Sequence, residues 1–266
     1  MRQVTAVALY GQKPSGLRDL IKECQYLVEM EAKTQQGISF KPYDVEQVHA
    51  TMVSLERCIG SAHLNKNFMM WRGRSQRMDF EGLLAYFRSC APLPFEIQIG
   101  GCQDRDYPFT SQNQKPYARS FSVRDNKAVV MGWPLCGNPA AHLPTGASAL
   151  VSESRMYPTI LDALRRRCQH FGILHRYHPE LTDLDNDFYF RIGIFTSSDV
   201  PDDFKQQLQS KVRQHMMNRQ PEVFQVTLAD MFIISYDDET LPFRTSKSWS
   251  FNDDQVNEIF IQGLYE

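Results

Sequence analysis

Gln47-Val48-His49-Ala50-Thr51-Met52-Val53 alternates in character: Val48, Ala50 and Met52 fall on one face, His49, Thr51 and Val53 on the other. This is the period of two of a strand half-buried in a sheet, and it sets the His and Thr side chains about 7 Å apart on the same face. Upstream, residues 4–10 are apolar and β-prone. Ser15 then precedes Leu17, Leu20, Ile21, Cys24, Leu27 and Val28 at helical spacing, with Ser15 placed as an N-cap. The chain therefore opens strand, helix, strand, and the His-x-Thr pair lies on the second strand.

Downstream, Phe80, Leu83, Leu84 and Phe87 predict a helix, and Phe95, Ile97 and Ile99 a strand ended by Gly100-Gly101. Residues 103–118 read as a long loop. A hairpin follows, with strands over 120–123 and 127–133 turning at Asp125-Asn126. Residues 134–148, with three prolines and two glycines, read as another loop. The second half repeats the order. Ile160, Leu161, Leu164, Cys168 and Phe171 predict a helix, and residues 175–187 a polar loop. In residues 188–195, Phe188, Phe190, Ile192 and Ile194 point inward and Tyr189, Arg191 and Gly193 to the opposite face. Pro201 opens a helix with Phe204, Leu208, Val212 and Met216, and residues 224–236 form a long strand region.

The expected fold class is α+β: a single bilobal domain over 1–266, made of two pseudo-symmetric lobes of antiparallel-rich sheet with helices packed outside and a central cleft. The lobe-forming segments are about 1–110 and 120–251, with a C-terminal tail over 252–266. Alternating strands and helices also fit a parallel dinucleotide-binding sheet, but no G-x-G-x-x-G or P-loop follows any strand.

A formal net charge of -2 gives no global basic field to draw the chain onto nucleic acid or an anionic surface. No apolar run approaches the roughly 18 residues needed to span a bilayer, so no membrane partner is expected. The first ten residues lack the pattern of a signal peptide and read as a strand. The six cysteines contain no C-x-x-C pair, which argues against a zinc ribbon or redox motif. Cys24 and Cys168 fall on apolar helical faces as reduced core thiols, and a cytoplasmic location follows as the expectation.

Candidate site residues begin with His49, whose imidazole moves protons near neutral pH, and Thr51, whose hydroxyl binds a phosphate oxygen. Lys66, Arg72, Arg74 and Arg77 cluster around Phe68 and Trp71, an interleaving suited to base stacking and phosphate contact. Trp71 and Arg72 are therefore substrate-binding candidates, as are Arg119 and Ser122, which flank the hairpin and are placed to line the cleft. Arg165, Arg166 and Arg167 read as a solvated helix face. His175 and His178 lack an identifiable third metal ligand, and Asp183, Asp185, Asn186 and Asp187 lack the glycine and distal Glu of an EF-hand loop. These acidic residues read as caps for the following strand. No metal and no cofactor are expected.

The order strand, helix, His-x-Thr strand, with a second such unit behind it, resembles the two-histidine (2H) phosphoesterase superfamily, which includes RNA 2′,3′-cyclic phosphodiesterases, the 2′-5′ RNA ligase-like proteins. The resemblance covers most of residues 4–251. The family's first motif, apolar-His-x-Thr-apolar, falls on residues 48–52. Its last strand resembles Phe224-Gln225-Val226-Thr227-Leu228 leading to Ile233-Ile234-Ser235-Tyr236 and then Trp249-Ser250-Phe251. The second His-x-Thr is expected over residues 188–192, where Tyr189 stands in place of the His and Arg191 in place of the Thr. In the family one histidine acts as general base and its mate as general acid across a phosphodiester. A tyrosine, with an ordinary pKa of about 10, is a poor substitute at neutral pH, whereas Arg191 can clamp a phosphate through two parallel hydrogen bonds. The resemblance thus implies His49, Thr51, Tyr189 and Arg191 as the catalytic set, with His175 or His178 as the substitute for the missing histidine. The implied ligand is a phosphate ester such as an RNA end, a cyclic phosphate or a nucleotide. The alternatives are a catalytically impaired nucleotide- or RNA-binding protein on the same fold, or an interaction domain without a small ligand.

Overall fold

The computed structural model describes residues 2–60, 63–74, 76–107, 109–135, 160–197 and 199–266. Cys136 and most of the loop expected over 134–148 lie outside these residues. The strands are β1 Gln3–Ala8, β2 Phe40–Pro42, β3 Ala50–Ser54, β4 Phe95–Ile99, β5 Phe121–Arg124, β6 Lys127–Leu135, β7 Phe188–Phe195, β8 Glu222–Val226, β9 Met231–Tyr236 and β10 Lys247–Ser250. The helices are α1 Ser15–Thr34, α2 Lys66–Arg72, α3 Phe80–Ser89, α4 Pro116–Ser120, α5 Ile160–Cys168, α6 Asp202–Asn218 and α7 Glu258–Gly263.

The fold is α+β with antiparallel sheets. One sheet runs β10-β9-β1-β3, the other β2-β7-β6-β4-β8 with β5 paired to β6. The lobes are not successive halves of the chain: β1 and β3 join β9 and β10, while β2 and β4 join β5 to β8. This corrects the assignment of about 1–110 to one lobe and 120–251 to the other. β9 pairs with the whole of β1 across the length of the chain, Gln3 opposite Tyr236 and Ala8 opposite Met231, because each supplies a buried apolar face to the same core.

The helical stripe read from the sequence is the buried face of α1: Leu17, Leu20, Ile21, Cys24 and Val28 have no exposed surface. Burying each large apolar side chain contributes about 1.5–3 kcal/mol. Ser15 is the first helical residue and Pro14 occupies the cap position, so the expected Ser15 cap is corrected. The strand expected over 224–236 is two strands in different sheets. Thr227 and Asp230 form a reciprocal capping box that turns the chain between β8 and β9. The tail is also part of the body: Tyr265 is buried and its hydroxyl donates to the Leu55 carbonyl at 2.6 Å.

Both strands that carry the sequence motifs contain a bulge at the same place. Along β3, Ala6 pairs with Val53 and Val7 with Thr51, so Met52 is the extra residue. Along β7, Ala128 pairs with Gly193 and Val129 with Arg191, so Ile192 is the extra residue. A bulge leaves a backbone carbonyl outside the ladder, and a buried one needs a donor. Arg165 on α5 donates to Met52 O at 3.2 Å, and Gln25 on α1 donates to Ile192 O at 2.8 Å. The bulges also reverse the alternation after them. Val53 is buried rather than facing with Thr51, and Gly193 is buried while Ile194 is only half-buried.

Candidate functional site

β3 packs beside β7, and a cavity of about 320 Å³ opens over the two motif strands. His49, Thr51, Tyr189 and Arg191 all line it, joined by Lys127 and Arg176. The two sheets are tied at this point by Arg165, which donates to Thr51 O and Met52 O on β3 and to Asp185 O and Asp187 O before β7.

His49 precedes the first ladder residue of β3 and keeps the predicted facing, since Val48, Ala50 and Met52 are fully buried around it. Its Nδ1 lies 2.7 Å from the Gln47 carbonyl oxygen. A carbonyl only accepts, so Nδ1 carries the proton and Nε2 keeps a free lone pair. Burial lowers the imidazole pKa to about 4; the Gln47 carbonyl opposes this, while the charges of Arg191 and Lys13 add to it. His49 is therefore a neutral base at pH 7. Tyr10 sets its edge against the ring, with centroids 5.9 Å apart.

Tyr189 is held above its ordinary pKa, chiefly by burial and then by Tyr177, against the opposing hydrogen bond with Thr51. It remains a hydroxyl at physiological pH. Arg191 donates to the Glu239 carbonyl at 3.4 Å and forms no ion pair among the described residues. Lys127 is lowered first by burial and next by the charge of Arg191, which places two cations close together. Of the remaining charges on the wall, Lys66 and Glu56 pair with each other at 2.7 Å, and Glu239 stands against Lys127, Arg176 and Arg191.

The other candidates divide. Trp71 lines this cavity and an adjoining one of about 830 Å³, and is 45% exposed. Arg72 does not line the 320 Å³ cavity; it donates to the His178 carbonyl at 3.1 Å. His175 lines the cavity but is buried, with Nε2 2.6 Å from Asp185 Oδ2. Burial lowers its pKa to about 4, with Arg165 adding to the effect. His178 lies outside the cavity with Nε2 2.9 Å from Asp162 Oδ1. Arg119, expected in the cleft, is buried and pairs with Asp187 at 2.6 Å. Ser122 is buried on β5 and lines neither cavity. Neither lines the 320 Å³ cavity.

Arg165, expected on a solvated face, has no exposed surface, so that reading is also corrected. The acidic run it meets does more than cap β7: Asp185 takes Arg165 and His175, and Asp187 takes Arg119, Ser111 and Trp133. Sequence reasoning missed Lys127 and Arg176. The signal for Lys127 was its alternation with Val129 and Met131, which puts it on one sheet face once β6 is registered against β7. Cys24 and Cys168 are buried thiols pushed up to about 12, as core cysteines are. No helix among the described residues is long and apolar enough to cross a membrane.

No protein-family model matches the chain, and no curated protein matches it. Among solved structures, the crystal structure of TT0787 of Thermus thermophilus matches at 10% identity with a TM-score of 0.37, covering 96% of this chain and 100% of that one. A likeness of that size leaves the functional reading to the chemistry of the cavity.

Proposed function

We propose that the protein is a divergent 2H-type phosphodiesterase acting on a phosphate ester such as an RNA end, a cyclic phosphate or a nucleotide. The supporting observation is one cavity that holds a neutral imidazole with a free Nε2 and a guanidinium without a carboxylate partner among the described residues. Arg191 clamps the phosphate, and the Thr51 and Tyr189 hydroxyls donate to its oxygens. His49 Nε2 takes a proton from the attacking water as the P–O bond to the leaving alcohol breaks. One water proton ends on the alcohol and the other stays with the phosphate, so the reaction balances as hydrolysis.

General base catalysis contributes about 10²–10⁴-fold, so His49→Ala is expected to lower hydrolysis of 2′,3′-cyclic nucleotides by at least about 100-fold. The pH profile carries a second signature. His49 works only when neutral, and its pKa is about 4, so activity stays level from neutral pH down to about 5 and falls only near 4. An exposed histidine would start to lose activity near 6.5. Equal rates for wild type and His49→Ala would remove His49 from the mechanism.

A second reading, nucleotide or RNA binding without turnover, is favoured by Tyr189. Held above pKa 10, it is a weak acid in the place where the family has a histidine. Binding of a nucleotide by calorimetry with no turnover selects this reading over the first.

A further inference from the structure

We infer that the ligand carries two separate anionic groups, and that Arg124, Lys127 and Arg176 form the subsite for the second. This rests on the phosphate reading of the first cavity and extends it. A further cavity of about 470 Å³ lies over the outer face of β5, β6 and β7 and shares Lys127, Arg176, Tyr189 and Arg191 with the first. Its wall also includes Arg119, Arg124, Asp125 and Asp187. Arg119 and Asp187 are paired to each other, which leaves four cations, Arg124, Lys127, Arg176 and Arg191, against two carboxylates, Asp125 on this wall and Glu239 on that of the first cavity.

The sheet register fixes how these cations are spaced. Arg124 and Lys127 are opposite each other across the Asp125-Asn126 turn. Lys127 and Arg191 are diagonal neighbours, since Arg191 pairs with Val129, and diagonal positions are about 7–8 Å apart. Three adjacent strands about 4.8 Å apart therefore present Arg124, Lys127 and Arg191 in a row roughly 10 Å across. Arg124 is held by the amide of Gln112 at 2.9 Å, a neutral partner that leaves its charge in place. Holding like charges this close destabilises the free protein, and an anion between them removes the repulsion. The pKa of Lys127 is lowered chiefly by burial, then by Arg191 and Arg176 against Glu239 and Asp125, and that of Arg124 chiefly by burial, then by Arg119 against Tyr177, Asp187 and Asp185. A row of that width, with its cations spread over three strands, matches two phosphates a nucleotide apart better than one.

Calorimetric titration of adenosine 5′-monophosphate and adenosine 3′,5′-bisphosphate tests this, since the two differ by one phosphate. The bisphosphate is expected to bind wild type at least tenfold more tightly. Arg124→Gln is expected to cut that advantage to threefold or less, and Arg124→Lys, which keeps the charge, to retain most of it. An advantage below threefold in wild type, or one unchanged in Arg124→Gln, overturns the second subsite while leaving the first site standing. Failure of both nucleotides to bind overturns the phosphate reading itself, and this inference with it.

Discussion

Arg165 makes five hydrogen bonds with no exposed surface: to the Thr51, Met52, Asp185 and Asp187 carbonyls and to the Asp185 carboxylate. Asp185 in turn sits 2.6 Å from His175 and is held at a pKa of about 2, with Arg165 the leading cause of the lowering against burial. Removing one member of a buried pair leaves an uncompensated charge, which costs more than the pair contributes. Arg165→Met is therefore expected to lose about 3–5 kcal/mol in urea unfolding. Arg165→Lys should recover part of that, because an ammonium replaces the charge but not the planar fork. A loss under about 1 kcal/mol for Arg165→Met would place the link between the sheets elsewhere. His49 was legible in sequence because its neighbours alternate in polarity. Arg165 was not, because three consecutive arginines on a helix look alike until tertiary packing buries one. Its partners, Thr51 and Asp185, are 114 and 20 residues away.

At the scale of elements, alternation located β3 and β7 but carried no trace of their bulges. An extra residue in a strand changes neither composition nor propensity, so Val53, Gly193 and Ile194 were assigned to the wrong faces. The break between β8 and β9 was also read through as one strand, although Thr227 and Asp230 have the spacing of a capping box. β2, three residues long, is too short for alternation to show in the sequence; it exists through pairing with β7, Phe40 opposite Phe195 and Pro42 opposite Gly193. That pairing depends on a missing side chain. A Cβ on Gly193 would stand 2.3 Å from Phe40 Cζ and 2.6 Å from the Lys41 carbonyl oxygen. Gly193→Ala is expected to cost roughly 1–3 kcal/mol, as overpacked sites do, and to speed amide exchange at Phe40 and Lys41. Gly263→Ala is the control: nothing lies within 4 Å of its Cβ, and in a helix alanine is favoured over glycine. Similar stability and exchange in the two variants would refute a steric role for Gly193.

For the whole molecule, the order of elements was legible and the partnership of strands was not. Strand order in sequence says nothing about which distant segments share a sheet, so two halves were expected where two interleaved sheets exist. The same blindness made residues 252–266 look like a tail. Tyr265 donates to Leu55 O just beyond β3, receives Arg57 Nη2 on its own carbonyl at 2.9 Å, and packs its ring against His63 and Phe80. Ser235 on β9 donates to Leu264 O at 2.9 Å. The segment thus clamps the sheet that carries His49 from the side away from the cavity. Truncation of a buried aromatic costs about 3–5 kcal/mol, so Tyr265→Ala is expected to lower the unfolding free energy by an amount in that range. Tyr265→Phe keeps the ring and removes only one hydrogen bond, so it should cost about 1–3 kcal/mol, the penalty of leaving a buried carbonyl unpaired. Deleting residues 258–266 should cost at least as much as Tyr265→Ala, because the contacts of Leu264 go with it. Tryptophan fluorescence across a urea series reads all three, and a truncated chain unfolding at the wild-type midpoint would make the segment an appendage after all.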